Sequence, residues 1–233
     1  RNNWAELQSN LCSVMIAAVR RLHSGMAPIG DRLMTSLLTL IQNSAKQPTV
    51  LEDAFVAVGT VIVALEADFE KYLDAFLPFL VEGLRNHEEH QLCTISVGIV
   101  GDVCRSLAER ATKYSETLVL ALFEDLQSPV LHRNVKPHIL SCFGDIAMAI
   151  GPAFESYLPT AMAVLQQASM VQNAPDTADY EMVEYVNDLR EGIAEAYVGI
   201  VSGFRMAGKA DVLLPYMDYT LAFVGLVASD SID

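Results

Sequence analysis

The chain has 233 residues, 52% of them hydrophobic and only 19% charged, which is ample apolar material for a packed core and excludes wholesale disorder. Its formal charge of −14 argues against nucleic acid or an anionic membrane surface as the main partner and favours basic ones. Cys12, Cys93, Cys104 and Cys142 lie inside apolar helical runs without paired spacing, as reduced core residues of a cytosolic or nuclear protein would. The longest uncharged apolar run, Ala54 to Leu65, is 12 residues long and too short to span a bilayer. No signal-peptide pattern or initiator Met opens the chain, which points to a piece of something longer.

The first helical pair is expected over 4–44. Leu7, Leu11, Val14, Ala18 and Leu22 form a stripe at helical spacing, Ser24-Gly25 and Pro28 break it, and Leu33, Leu37, Leu40 and Ile41 resume it. Leu37 and Leu38 lie about 100° apart, so burying both requires cover on two faces. The second pair, 48–87, opens at Pro48 with a Thr49-x-x-Glu52 capping box. Its first helix carries Ala54, Val58, Val61, Ile62 and Leu65 on one stripe and Phe55, Val56 and Val63 on other faces, the pattern of a helix buried on several sides. Pro78 interrupts the return helix after Tyr72 and Phe76.

The third pair, 90–127, is the clearest copy of a unit that recurs. Val58-Gly59 and Tyr72 stand 42 residues before Val100-Gly101 and Tyr114, and Phe143-Gly144 and Tyr157 stand 43 residues after them. A period of that size belongs to repeats built from antiparallel helix pairs, each too small to bury its own apolar faces. The fourth pair, 133–170, starts near Pro137 and breaks at Gly151-Pro152. A longer gap then falls in 171–179, a polar loop, before a fifth pair over 179–229. The expected fold is all-α: a right-handed superhelical solenoid of the HEAT kind with about five antiparallel hairpins, forming one array over 1–233.

No catalytic constellation stands out, and neither a cofactor nor a metal is expected. His87, His90 and Cys93, at steps of three, could approach a common face as metal ligands do, but no fourth ligand is apparent. Asp102 and Asp145 follow matched glycines and recur at the repeat period, so they read as structural, binding a neighbouring helix start or a basic side chain such as Arg133 or Lys136. Gly59, Gly101 and Gly144 read as points of close helix approach, and Tyr72, Tyr114 and Tyr157 as core anchors. Arg20 and Arg21 are the only adjacent arginines; a solvated helix end would account for them, and so would an acidic partner.

Four strings carry a resemblance: SVGIVGDVCRSL from Ser96, HRNVKPHILSCFGDIAMAIG from His132, VLQQAS from Val164 and DYEMVEYVNDLREGIAEAYVGIVSG from Asp179. Together they resemble the central to C-terminal HEAT repeats of the importin-β (karyopherin-β) family of nuclear import receptors, with looser similarity at Ser24 to Asp31 and Met206 to Asp211. The resemblance implies a non-catalytic, monomeric scaffold shuttling between cytoplasm and nucleus through the nuclear pore complex. Family members bind the basic segment of the importin-α adaptor or cargo, phenylalanine-glycine (FG) nucleoporins, and Ran-GTP, the last chiefly through N-terminal repeats. Transferred to this chain, the resemblance implies adaptor or cargo contacts at Glu82, Glu116, Glu124 and Asp125, a nucleoporin pocket at Leu38, Tyr114 and Ala121, and Ran contacts at Arg20 and Arg21. A HEAT scaffold of another kind, such as a phosphatase or chromosome-organising subunit, is the alternative. An enzyme would need a pocket of convergent titratable groups.

Overall fold

The structure, a computed structural model, describes residues 2–171 and 180–230; the expected polar loop lies outside the described residues apart from Val171. Among the described residues there are ten α-helices and no strand: α1 (Asn2–Leu22), α2 (Gly30–Asn43), α3 (Pro48–Leu65), α4 (Glu70–Leu84), α5 (His90–Leu107), α6 (Thr112–Gln127), α7 (Val135–Ile150), α8 (Leu158–Ser169), α9 (Tyr180–Met206) and α10 (Met217–Asp230). In chain order they fall into five pairs, the two helices of each pair joined by a short 3₁₀ segment.

Every hairpin turns through a short 3₁₀ segment, at His23–Ile29, Glu66–Phe69, Ala108–Ala111, Gly151–Ser156 and Ala210–Tyr216. The corner has a backbone signature. His23, Glu66, Ala108 and Gly151 have φ of 47°, 50°, 50° and 52°, a region that costs a residue with a Cβ and that only glycine enters freely. Each corner also buries one apolar side chain: Met26, Phe69, Ala111, Phe154 and Leu213. These side chains pin the turn from inside and oppose the strain of the positive φ.

The helices cluster into two compact units, one made of the residues up to Ala108 with Ala121–Val130, the other of Glu109–Leu120 with the chain from Leu131 onward. In the first unit α1, α3 and α5 lie side by side as one layer, with α2 and α4 behind them. Its core holds Val58, Val61, Ile62, Leu73, Phe76 and Val100, and Phe55 meets Phe76 edge-on at 5.5 Å. In the second unit α7 packs along α9, and α8 contacts both α9 and α10.

The α7–α9 seam is a contact between backbones. A methyl group on Gly144 would lie 2.7 Å from the Glu195 carbonyl oxygen and 2.9 Å from the Ala196 Cα, and one on Gly199 would strike the Gly144 backbone. Gly144 thus acts as close helix approach demands. Gly59 does so only loosely, since a methyl there would make ordinary contacts of 3.5–3.6 Å with Asp102 and Ile99.

Several sequence expectations change. The stripe Leu7, Leu11, Val14, Ala18 and Leu22 faces outward, with Val14 65% exposed, while Cys12 and Val19 are buried. Periodicity reveals an apolar stripe but not which stripe meets the neighbour, and here α3 covers the other one. The Thr49 capping box does not form: Pro48 takes the first helical position, Gln47 becomes the cap residue, and no side chain caps the start. Pro78 sits inside α4, which continues to Leu84. Two stretches, Val135–Ser156 and Ala210–Ser229, are long and apolar enough to cross a membrane, which a search for uncharged runs alone passes over. The first contains the buried α7 and the break at Gly151; length and composition of this order are also met by core helices.

Two substitutions test the seam and the corner. Gly199→Ala should lower unfolding free energy in urea by about 1–3 kcal/mol, because the added methyl has backbone and not side chain to displace, whereas Gly225→Ala on α10, with open space around it, should be neutral or stabilising. Ala108→Gly should raise stability by about 1 kcal/mol, since relief of the positive φ outweighs the entropy glycine adds to the unfolded chain.

Candidate functional site

The outer layer of the first unit carries a groove of about 400 Å³ between α1, α3 and α5. Apolar Val19, Val56, Val63, Ile95 and Ile99 line it, together with Arg20, His23 and Asp102. Val63 is 57% exposed. Thr60, between the two α3 valines, donates its hydroxyl to the Val56 carbonyl at 2.9 Å, which leaves its methyl as the surface it offers. Gly98 adds no side chain, and a Cβ there would meet no atom within 4 Å, so the groove stays open. Asp102 accepts from Arg105 Nη2 at 2.7 Å on its own helix, in place of the expected neighbouring helix start or Arg133 and Lys136. Arg133 instead donates to Glu181 at 2.8 Å and sits 5.7 Å over the Tyr185 ring.

The other face gathers carboxylates. Glu82 edges a smaller pocket of about 140 Å³, whose lining includes Phe55, Phe79, Leu92 and Asn86. At the start of α3, burial first and then the nearby charges of Glu89 and Asp53 push the Glu52 carboxyl upward, with His90 acting against them. Arg85, at the end of α4, donates to Glu124 at 2.7 Å; both groups are more than half exposed, so the pair adds little stability. Beside it His87 Nε2 lies 3.0 Å from Asp125 Oδ1, and Ser128 Oγ lies 3.0 Å from His87 Nδ1. Asp125 is 1% exposed and its Oδ2 has no partner. Burial pushes its carboxyl upward, with the His87 hydrogen bond acting against it.

The expected residues therefore divide. Tyr114 and Ala121, at 3% and 2% exposure, are core side chains and do not present a surface pocket for a ring. Close packing accounts for both: the ring and the methyl that the resemblance placed in a pocket are walled in, and Tyr114 is the core anchor its spacing suggested. Leu38 is half-buried beside the fully buried Leu37. Glu82, Glu116 and Glu124 are exposed, whereas Asp125 faces His87 and is shut away from solvent. Arg20 and Arg21 are exposed in the last turn of α1, and Arg20 lines the outer groove.

His87 and Cys93 do not converge on a metal position. His87 engages Asp125 and Ser128, and Cys93 Sγ donates to the Leu84 carbonyl at 3.0 Å. Burial, then Asp125, pushes the Cys93 thiol up to about 12, which keeps it protonated and unreactive. The tyrosines have polar handles as well as core contacts. Tyr72 donates to Asp31, which also accepts from Lys71 at 2.8 Å, and Lys71 and Lys113 each sit 4.7 Å over the following tyrosine ring. Sequence reasoning passed over the outer groove because α3 is apolar nearly all round; the surplus faces at Val56 and Val63 were its signal.

Because the Asp125 carboxyl is raised in the folded state, it holds a proton that the unfolded chain has already released. Its contribution to stability is present at acid pH and is lost as pH rises from 3.8 through the raised value. Urea unfolding of Asp125→Asn between about pH 4 and pH 7 should lack that falling component, and the variant should be at least as stable as the parent at neutral pH.

The sequence profile of the importin subunit beta-1-like family, which describes its repeats as TPR repeats, matches residues 1–233. Importin subunit beta-1 of Schizosaccharomyces pombe is 45% identical over 230 residues, covering 99% of this chain and 26% of that protein. Its counterpart in Arabidopsis thaliana is 39% identical, covering 96% and 26%. Importin beta crystallised in a polyethylene glycol condition superposes with a TM-score of 0.93 at 42% identity, covering 97% of this chain and 27% of that one. Kap95 in a complex with Nup1 gives 0.87 at 32% identity, covering 96% and 25%. Kap95p in a structure with RanGDP, whose switch loops adopt the GTP-bound conformation, gives 0.83 at 33% identity, covering 96% and 26%. The chain thus spans about a quarter of the length of these relatives; the shares do not establish the central to C-terminal placement that the resemblance implied. With the family profile matched along its full length and relatives well above 30% identity, this chain belongs to the importin subunit beta-1-like family.

Proposed function

We propose that this chain serves as one span of the binding scaffold of a nuclear import receptor, holding FG nucleoporins in the groove between α1, α3 and α5. The observation that carries this reading is the open apolar lining of that groove, Val56, Val63 and Ile95 above the buried Ile99, on a family member whose relative Kap95 has been solved with Nup1. A phenylalanine ring seated there buries apolar area without needing a polar partner, and one small site gives the weak, fast contact that passage through a pore requires. Leu38, half-buried on α2, is a lesser candidate for the same ligand.

The remaining assignments follow the same reading. Arg20 and Arg21 are free in direction at the end of α1 to meet acidic groups on Ran, which a relative binds as RanGDP. Glu82, Glu116 and Glu124 supply negative charge for a basic adaptor or cargo segment, with importin-α the adaptor the family uses, and the net charge of −14 steers such a segment in. The whole receptor would work in transit between cytoplasm and nucleus at the nuclear pore complex, without catalysis.

Titration of the chain with a Phe-Gly repeat peptide should show saturable binding that is lost when each Phe is replaced by Ser. Val63→Asp should weaken it at least tenfold, about 1.4 kcal/mol, with the helical signal intact, and Leu38→Asp should change it less. Binding indifferent to Val63→Asp would remove the groove from the proposal, and no binding by either peptide would remove the nucleoporin function from this span.

A further inference from the structure

The connection from α6 to α7 begins Ser128-Pro129-Val130. Serine followed directly by proline is the core element read by proline-directed protein kinases, and proline biases the residue before it toward the extended backbone that a kinase cleft accepts. Ser128 lies just beyond the last residue of α6 in an open stretch: it is half-buried, Pro129 is exposed and Val130 is 70% exposed.

Its hydroxyl has a specific structural task. Ser128 Oγ and His87 Nδ1 are 3.0 Å apart, and His87 Nε2 and Asp125 Oδ1 are 3.0 Å apart. Ser128 and Asp125 thus hold the two ring nitrogens of His87 from opposite sides. The three side chains clamp the turn after α4 to the end of α6. The groups facing the clamp are Arg85 at the end of α4, paired with Glu124; Cys93 on α5, a neutral thiol; and Glu124 and Asp125 on α6. Asp125 Oδ2 is already buried without a partner, so the clamp holds one incompletely satisfied acidic group before a second anion arrives.

We propose that Ser128 is a phosphorylation site for a proline-directed protein kinase, and that its modification opens the Ser128–His87–Asp125 clamp. In the transfer, Ser128 Oγ attacks the γ-phosphorus of a nucleoside triphosphate held by the kinase. The Oγ–P bond forms, the bond from phosphorus to the nucleoside diphosphate oxygen breaks, and the hydroxyl proton passes to a base on the kinase. In place of the hydroxyl the phosphoester dianion presents only bulky acceptor oxygens, so the 3.0 Å contact of the hydroxyl with Nδ1 is lost. Close to two negative charges also stand at the C-terminal end of α6, where the last carbonyls are themselves negative, and near the buried Asp125. Repulsion from both sides drives the connection away from His87. This inference is independent of nucleoporin, Ran or adaptor binding.

The test is incubation of the folded chain with ATP and a purified proline-directed serine/threonine kinase, with peptide mass spectrometry and amide hydrogen exchange as readouts. Phosphate is expected on Ser128, absent from Ser128→Ala and sharply reduced in Pro129→Ala, which keeps the hydroxyl and its bond to His87. Exchange in 84–90 and 122–131 should be at least tenfold faster in the phosphorylated chain, and Asp125→Asn, which removes the buried anion, should restore most of that protection. An unmodified Ser128 in the folded chain overturns the site, whether or not the heat-unfolded chain is labelled. Phosphate on Ser128 with unchanged or slower exchange overturns the opening of the clamp.

Discussion

The first four helix pairs depend on the same backbone corner, a positive φ at the end of the first helix followed by a 3₁₀ turn around one buried apolar side chain. That corner fixes where the chain reverses, and through it which faces of the two helices can meet. At Glu66, Ala108 and Gly151 it is entered by a charged residue, a methyl and a hydrogen with nearly the same φ. Local preference therefore does not set the corner, because only one of the three residues favours it. Packing sets it: Phe69 and Phe154 fill the turn from inside and each meets the tyrosine three residues on at a steep angle, with ring centroids 5.8 and 5.9 Å apart. The repeat is thus written in the spacing of what fills the corner more than in the residue that bends there.

Most of the architecture could be read from spacing. The 42- and 43-residue separations of the Val-Gly or Phe-Gly steps and the tyrosines lead to helix pairs, and Pro48, Gly151 and Pro152 mark turns that the structure places close to where they were expected. What spacing could not decide was orientation. Leu7, Leu11 and Val14 form as regular a stripe as any in the chain and face outward, because the contact with α3 uses Cys12 and Val19. A helical period names a face, and only the neighbour decides whether that face is interior. The capping box failed for a related reason: Thr49 and Glu52 have the right spacing, but the preceding proline starts the helix two residues too early for them.

The candidate site was less legible. The resemblance placed Tyr114 and Ala121 in a groove, yet both are buried, Tyr114 in keeping with its reading as a core anchor. Asp125 looked like one more surface carboxylate in an acidic chain and is instead the most enclosed charge in the first unit, held by a histidine 38 residues away in sequence. Neither fact has a local sequence signature, since both depend on which side of α6 its neighbours cover. The outer groove arises the other way round, from what is missing: a glycine on α5 and a threonine that satisfies its own helix leave apolar side chains with space above them.

The glycine seam between α7 and α9 bears on how such a scaffold bends. Where two helices touch through side chains, methyl groups can hop between rotamers and the interface yields in small steps, as between α1, α3 and α5. Where main chain lies directly on main chain, as at Gly144 and Gly199, nothing soft is interposed, and any sliding must carry whole peptide units past one another. That joint behaves as a weld within the second unit. Elastic compliance is left to the leucine- and valine-filled contacts, so stiffness within each unit depends on where glycines stand.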